Sequence, residues 1–292
     1  MTELFLNYLR FERNRSMETV KRYSLALQSF ETYFKNREKE LDWASVDADL
    51  IRGWMESQLE AGHEAATVCT NLSAVKSLFR FALSRKLVKS DPAHQVQAPK
   101  KRKSLPQFVK ESEMNELIDE ISWSNKYKDV RARTIIILLY ETGLRRSELV
   151  GLNDSDINFE AQQLKVTGKR NKQRIVPFGQ ELSETLQHYM AVRDDEVSKQ
   201  SEALFLNNRG ERISPKLVYR IVKENLSKVT TLKKRSPHVL RHSFATAMLN
   251  HEAGLESVRR LLGHESLQTT QIYTHTTFEQ LRRVYKDAHP RG

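Results

Sequence analysis

Apolar residues along the first 95 positions recur at the period of an α-helix. Val20, Tyr23, Leu27, Phe30 and Phe34 are separated by 3, 4, 3 and 4 residues and draw one stripe along a helix. With a short helix before it, this is the second of four: Leu50, Trp54 and Leu59 mark the third, and Val68, Leu72, Val75, Phe79 and Leu83 the fourth. The aromatic residues fall on the stripes, which predicts a helical core and not a base-stacking surface. Off the stripe of the fourth helix lie Thr67, Asn71, Lys76, Arg80 and Arg85, a polar and basic outer face. Asp91-Pro92 is expected to end that helix. The run from Ala98 to Pro106 then sets Pro99 and Pro106 around Lys100, Lys101, Arg102 and Lys103. Proline resists both helix and central strand, so an interdomain linker is placed over residues 96–107.

Beyond the linker the pattern changes along the chain. A helix is expected around Glu113 to Ile121. Ile135 to Tyr140 is apolar without a break and ends at Gly143, which suits a buried helix, although periodicity alone leaves a buried strand open. Residues 163–177 alternate as a β-hairpin, with Leu164 and Val166 in one arm, Ile175-Val176-Pro177 in the other, and Gly168 to Gln173 as the turn. Leu182, Leu186, Tyr189 and Met190 mark a further helix, Ala203 to Leu206 a short strand, and Ser214-Pro215 the start of a helix through Leu226. The final segment, Thr277 to Tyr285, sets Phe278, Leu281 and Tyr285 on one stripe. That apolar face has to dock somewhere.

Composition narrows the classes of function. Lys and Arg number 48 against 37 Asp and Glu, a formal charge of +11, which favours a polyanionic partner through counterion release. Cys69 is the single cysteine, so neither an intramolecular disulfide nor a multi-cysteine zinc site can form. The N-terminus lacks a basic segment followed by an apolar core, and no run of about 18 apolar residues exists. These features predict a cytoplasmic protein with no membrane association.

Candidate chemistry concentrates between residues 236 and 275. Ser236 reads as an N-cap and Pro237 as the first helical residue, which sets His238 and Arg241 three apart on the first turn. A phosphate there would meet the positive helix pole, unpaired N–H groups and a guanidinium together. Leu255 to Leu262 reads as a helix closed by Gly263, because glycine takes the left-handed conformation at no steric cost. His264 then leaves a fixed corner, and Ser266 can cap a short helix with Tyr273 in its last turn. His238 and His242 form an H-x₃-H pair, but with Arg241 between them and no cysteine ligands a zinc site is not expected. Tyr140 and Tyr189 lie on apolar stripes and are assigned to the core.

Taken in order, Thr142-Gly143-Leu144-Arg145-Arg146-Ser147-Glu148-Leu149, Lys169, His238-Val239-Leu240-Arg241-His242, Leu262-Gly263-His264 and Tyr273 resemble the tyrosine site-specific recombinases, nearest to the bacterial Xer type. The resemblance covers essentially the whole chain. It implies a mainly α fold: a four-helix, SAM-like core-binding domain over 1–95, the basic linker over 96–107, and a mostly helical catalytic domain over 108–292 with a small antiparallel β-sheet.

The resemblance also implies roles. Transfer of a phosphodiester needs an in-line nucleophile, neutralisation of the non-bridging oxygens and a proton for the leaving oxygen. Tyr273 would attack, Arg145 and Arg241 would hold the phosphate, and Lys169 would protonate the departing 5′ oxygen, with Lys172 on the same turn as the alternative. His238 would be the acid–base residue and His264 would hydrogen-bond the transition state. The family pattern sets the arginine directly after Gly-Leu, which favours Arg145 over Arg146. Glu148 is expected to orient an arginine, His242 to be structural, and His275 is left between a capping and a minor catalytic role. Lys76 and Arg80, with Lys100, Lys101, Arg102 and Lys103, would lie on double-stranded DNA core sites. A tyrosyl ester keeps the energy of the broken bond, so neither metal nor nucleotide cofactor is expected, in keeping with the lack of a phosphate-loop motif or clustered carboxylates.

The implied assembly is a homo- or hetero-tetramer on DNA that exchanges C-terminal helices, with a second recombinase or an activating protein as further partners. The alternative for the tail is its own domain. Alternatives for the whole chain are an integrase or invertase of a mobile element, a type IB topoisomerase, and a catalytically silent DNA-binding protein. The chain starts at the core-binding domain, which tilts the expectation towards Xer-like chromosome-dimer resolution.

Overall fold

The computed structural model describes residues 1–35, 42–100, 107–168, 171–263 and 278–291, with the side chains of 278–280 excepted. The chain divides into two compact units, Met1–Ser104 and Leu105–Gly292.

The first unit is helical. Helix α1 (Thr2–Asn7) continues into a π-helical turn (Tyr8–Glu12), followed by α2 (Met17–Lys35), α3 (Ala48–Glu60) and α4 (Ala65–Ser84). The stripes meet at a core of Leu27, Phe30, Phe34, Trp54, Val68, Leu72, Val75 and Phe79. Phe30 sets its edge against Trp54 at 5.0 Å between centroids. Asp47 caps α3, its carboxylate accepting from the Leu50 N–H at 2.7 Å.

Two stripe positions are corrected. Leu59 and Leu83 are 41% and 42% exposed. The buried face of α4 turns instead through Leu78, Phe81 and Ala82, since a stripe of period 3.6 cannot keep step with 4-residue spacing over five turns. Helix α4 also stops at Ser84, well before Asp91-Pro92, and Lys86 takes a left-handed φ of 57°. Asp91 serves a separate turn, accepting from the N–H groups of Ala93 and His94. Val88, Ala93 and Val96 in this segment pack back onto the helical core.

The second unit opens with α5 (Glu111–Asn115), which widens into a π-helical turn (Glu116–Glu120). Helix α6 (Tyr127–Thr142) follows, and Ile135 to Tyr140 within it are buried all round, which settles helix over strand. Next come α7 (Arg146–Gly151), β1 (Ile157–Asn158), β2 (Gln163–Thr167) and β3 (Gln173–Pro177). The expected hairpin is β2–β3, antiparallel with Val166 opposite Arg174, and β1 adds a third strand on the β2 side. The strand expected at Ala203 to Leu206 is not one: only isolated bridges, Asn153 to Ala203 and Leu206 to Arg212, occur there. Arg193 in α8 (Gln180–Glu196) explains the local layout, because its guanidinium binds the Leu204 carbonyl and Asp154 and so ties this segment to a helix.

Helices α9 (Pro215–Leu226), α10 (Pro237–Asn250), α11 (Leu255–Leu262) and α12 (Phe278–Ala288) complete the unit. Ser214 caps α9 through its hydroxyl, with Pro215 at the first position. At α10 the expected side-chain cap is absent: Pro237 is in place, but it is the Ser236 carbonyl that accepts from Val239 and Leu240. Helix α12 lies on its own unit, where Tyr285 and Ala288 pack with Phe244, Met248, Val258, Leu261 and Leu262. Among the described residues no helix is long and apolar enough to cross a membrane.

Candidate active site

Gly143 ends α6 in the left-handed conformation, φ 59° and ψ 23°. The chain turns there, buries Leu144, and delivers Arg145 to the position before α7. Glu148, one turn into α7, receives the Arg145 backbone N–H at 2.8 Å on one oxygen and the Arg145 Nη1 at 2.8 Å on the other. Arg145 Nη2 donates to the Gly263 carbonyl at 3.1 Å.

Arg241 arrives from α10 and is only 7% exposed. Its Nη1 donates to the Gly143 carbonyl at 2.6 Å and its Nη2 to the Leu262 carbonyl at 2.7 Å. The carbonyls of Leu262 and Gly263 lie at the C-terminal end of α11, where a helix leaves acceptors unpaired and its dipole is negative. Two arginines almost a hundred residues apart are therefore fixed on neighbouring carbonyls. Gly263, at φ 64°, makes this corner, and His264 follows it directly.

A third guanidinium was not singled out in the sequence. Arg174 of β3 forks onto Glu148, Nη1 to Oε1 at 2.8 Å and Nη2 to Oε2 at 3.0 Å, and donates Nε to the Leu261 carbonyl at 3.1 Å. A signal existed: Arg174 alternates with buried Val176 and stands opposite buried Val166, so it faces inward. Glu148, with a side chain 2% exposed, thus serves two arginines. Burial by itself would raise its pKa, but the hydrogen bonds and charge of Arg174, and then Arg145, hold it at about 2. Arg241 is pushed down to about 10, by burial first and then by the positive Arg145, and stays charged at neutral pH. Three guanidinium groups around one carboxylate leave a surplus of positive charge, as an anionic phosphate would need.

His238 is exposed on the first turn of α10. Partial burial, then Arg146, Arg241, His242 and Arg145 lower its pKa, so the ring is neutral at pH 7 and able to take up a proton. Arg146 is exposed and adds to this potential without entering the Glu148 cluster. His242 is also exposed, on the outer face of α10.

Lys169, His264, Tyr273 and His275 lie outside the described residues, as do Lys101, Arg102 and Lys103. Lys172 is exposed, and its carbonyl accepts from the Gly168 N–H at 2.8 Å. In the first unit Lys76 is partly buried, with Nζ 3.5 Å from the His94 carbonyl, while Arg80 and Lys100 are exposed. Arg85 is held by Glu12 at 2.6 Å.

A family model described as the phage integrase family matches residues 107–280, and one described as the phage integrase N-terminal SAM-like domain matches residues 2–86. Tyrosine recombinase XerC of Pelotomaculum thermopropionicum is 39% identical over 298 residues, covering 99% of this chain and 97% of the relative. Tyrosine recombinase XerD of Oceanobacillus iheyensis is 34% identical, covering 99% and 98%. Among solved structures, the XerH site-specific recombinase bound to palindromic difH substrate in a post-cleavage complex matches with a TM-score of 0.71 and 22% identity, over 98% of this chain and 81% of that one. At that identity the likeness is one of fold.

Proposed function

We propose, because the chain belongs to the phage integrase family of tyrosine recombinases, that it performs site-specific recombination by cutting and rejoining DNA. The observation that carries the chemical reading is the cationic seat formed by Arg145 and Arg174 on Glu148 and by Arg241 on the adjoining Gly143 and Leu262 carbonyls. In this reading Arg145 and Arg241 neutralise the non-bridging oxygens of the scissile phosphate. The Tyr273 hydroxyl attacks phosphorus, the bond to the 5′ oxygen breaks, and Lys169 supplies the proton that turns that oxygen into a hydroxyl. His238, neutral at rest, accepts the tyrosine proton. The 3′-phosphotyrosyl ester is then attacked by the 5′ hydroxyl of a second strand, which restores the diester and frees the tyrosine without external energy.

The near full-length likeness to XerC and XerD proteins supports chromosome-dimer resolution in the cytoplasm as the biological setting. The working form is a homo- or hetero-tetramer on DNA core sites, which Lys76, Arg80 and the linker cations Lys100, Lys101, Arg102 and Lys103 would grip. In such an assembly α12 would leave its seat on its own unit to dock on a neighbour.

The test is covalent trapping. A nicked duplex carrying the site recovered by sequencing protein-linked DNA should give an adduct on a denaturing gel. Tyr273→Phe should bind that duplex as the native protein does and give no adduct, and an adduct of undiminished yield would remove Tyr273 from the role.

A further inference from the structure

Arg174 lies outside the set of residues assigned to the chemistry, yet its side chain makes three hydrogen bonds within the site. It reaches from β3 to Glu148 with two parallel hydrogen bonds and to the Leu261 carbonyl with a third. Its guanidinium is packed against Gly263, where a Cβ would stand 3.2 Å from its Cδ, Cζ and Nε. The glycine is therefore needed twice, for its positive φ and for this close approach.

We propose that Arg174 is a positioning residue for phosphate binding: by clamping Glu148 and the end of α11, it fixes the two anchors, Glu148 and the Gly263 carbonyl, from which Arg145 is hung. Glu148 binds both arginines, and the Gly263 carbonyl that Arg145 binds lies two residues beyond the Leu261 carbonyl that Arg174 binds. Glu148 is nearly inaccessible to solvent, and a buried carboxylate with one guanidinium removed would draw the remaining one towards itself. Without Arg174, Glu148 would take more of Arg145, and the phosphate correspondingly less. A planar fork matches the two carboxylate oxygens in a way that a lysine ammonium cannot. The inference rests on the reading of Arg145 as a phosphate ligand.

The experiment compares strand cleavage of the recovered core-site duplex with cleavage of the same duplex bearing a methylphosphonate at the scissile position. The methyl group removes the charge of one non-bridging oxygen and lessens the need for a well-placed cation. Displacement by about 1 Å can cost 10²-fold in rate, so Arg174→Met should slow cleavage of the phosphate by about that factor. It should be much less impaired on the methylphosphonate, as should Arg145→Ala, and Arg174→Lys should recover only part of the loss. Glu148→Gln removes the buried charge together with its need for a partner. Adding Arg174→Met to Glu148→Gln should therefore cost less than Arg174→Met costs alone, the remainder coming from the lost bond to the Leu261 carbonyl, and this pair also serves if the single variant does not fold.

No cleavage by the native protein would overturn the functional reading itself. If Arg145→Ala is equally impaired on both substrates, the phosphate role of Arg145 falls and this inference with it. If Arg145→Ala is rescued and the Arg174 variants are not, or if the Glu148 and Arg174 losses add in full, Arg174 has no positioning role.

Discussion

Glu141 shows how one side chain can be legible in identity and illegible in consequence. In the sequence it is a polar residue between Tyr140 and Thr142; in the fold it is fully buried, with Oε2 accepting from the Tyr285 hydroxyl at 3.2 Å. Burial, and then the negative Glu181, raise its pKa from 4.5 to about 8. Between those values the native carboxyl keeps a proton that the unfolded chain releases, so stability falls as pH rises, by up to about 1.4 kcal/mol per pH unit. His289, which stacks on Tyr285 and is pushed down to about 3 by burial, costs stability only below its ordinary value of 6.5 and leaves the alkaline side untouched. Glu141→Gln, which cannot ionise, should therefore gain on the native protein as pH goes from 6.5 to 8. Urea unfolding at the two pH values reads the difference, and a constant gap would show that Glu141 does not titrate in this range.

At the scale of elements, the candidate active site is made largely by helix ends. The end of α6 at Gly143, the start of α7, the start of α10 and the end of α11 converge, so that backbone carbonyls left open by helices hold the arginines. Gly143 is the tightest of these junctions. A Cβ there would lie 2.6 Å from Phe244 Cδ1 and 2.8 Å from Leu262 Cδ2, on a residue whose φ is +59°. The left-handed conformation costs an alanine roughly 1–2 kcal/mol and overpacking about 1–3 kcal/mol more. Gly143→Ala should lose about 2–5 kcal/mol in denaturant unfolding and should also cleave poorly, since the carbonyl that Arg241 binds moves with the strain. Native stability together with native cleavage would contradict this account of the junction.

Over the whole molecule, two units each carry their own core, and the chain closes on the second with α12. The seat of α12 changes what a truncation should do. Were the tail docked only on a neighbour, its removal would leave the isolated chain as stable as before. With Tyr285 buried against Phe244 and bonded to Glu141, removing residues from Phe278 onward uncovers both. The loss of one such buried side chain is worth about 1.5–3 kcal/mol, and in a unit of this size each kcal/mol lowers Tm by roughly 2–4 °C. The truncated chain should accordingly melt several degrees below the full one in the absence of DNA. An unchanged Tm would mean that the helix spends little time on its own unit.

The sequence by itself determined what depends on short separations. Stripes at helical period gave α2, α3, α4 and α8, Ser214-Pro215 the start of α9, Gly143 and Gly263 the two corners, and alternation the β2–β3 hairpin, because period, capping and chirality act over a few residues. The order of Arg145, His238, Arg241 and Tyr273 carried the family. Tertiary structure decided which side of a stripe met the core, leaving Leu59 and Leu83 outside, and it made β1, a strand too short to have a pattern. It also decided that Arg174 and Arg145 share one buried carboxylate, and that α12 lies on its own unit. A single sequence records the charge and size of such residues. The free energy of burying them depends on groups that approach from far along the chain, and these meet only when the fold is complete.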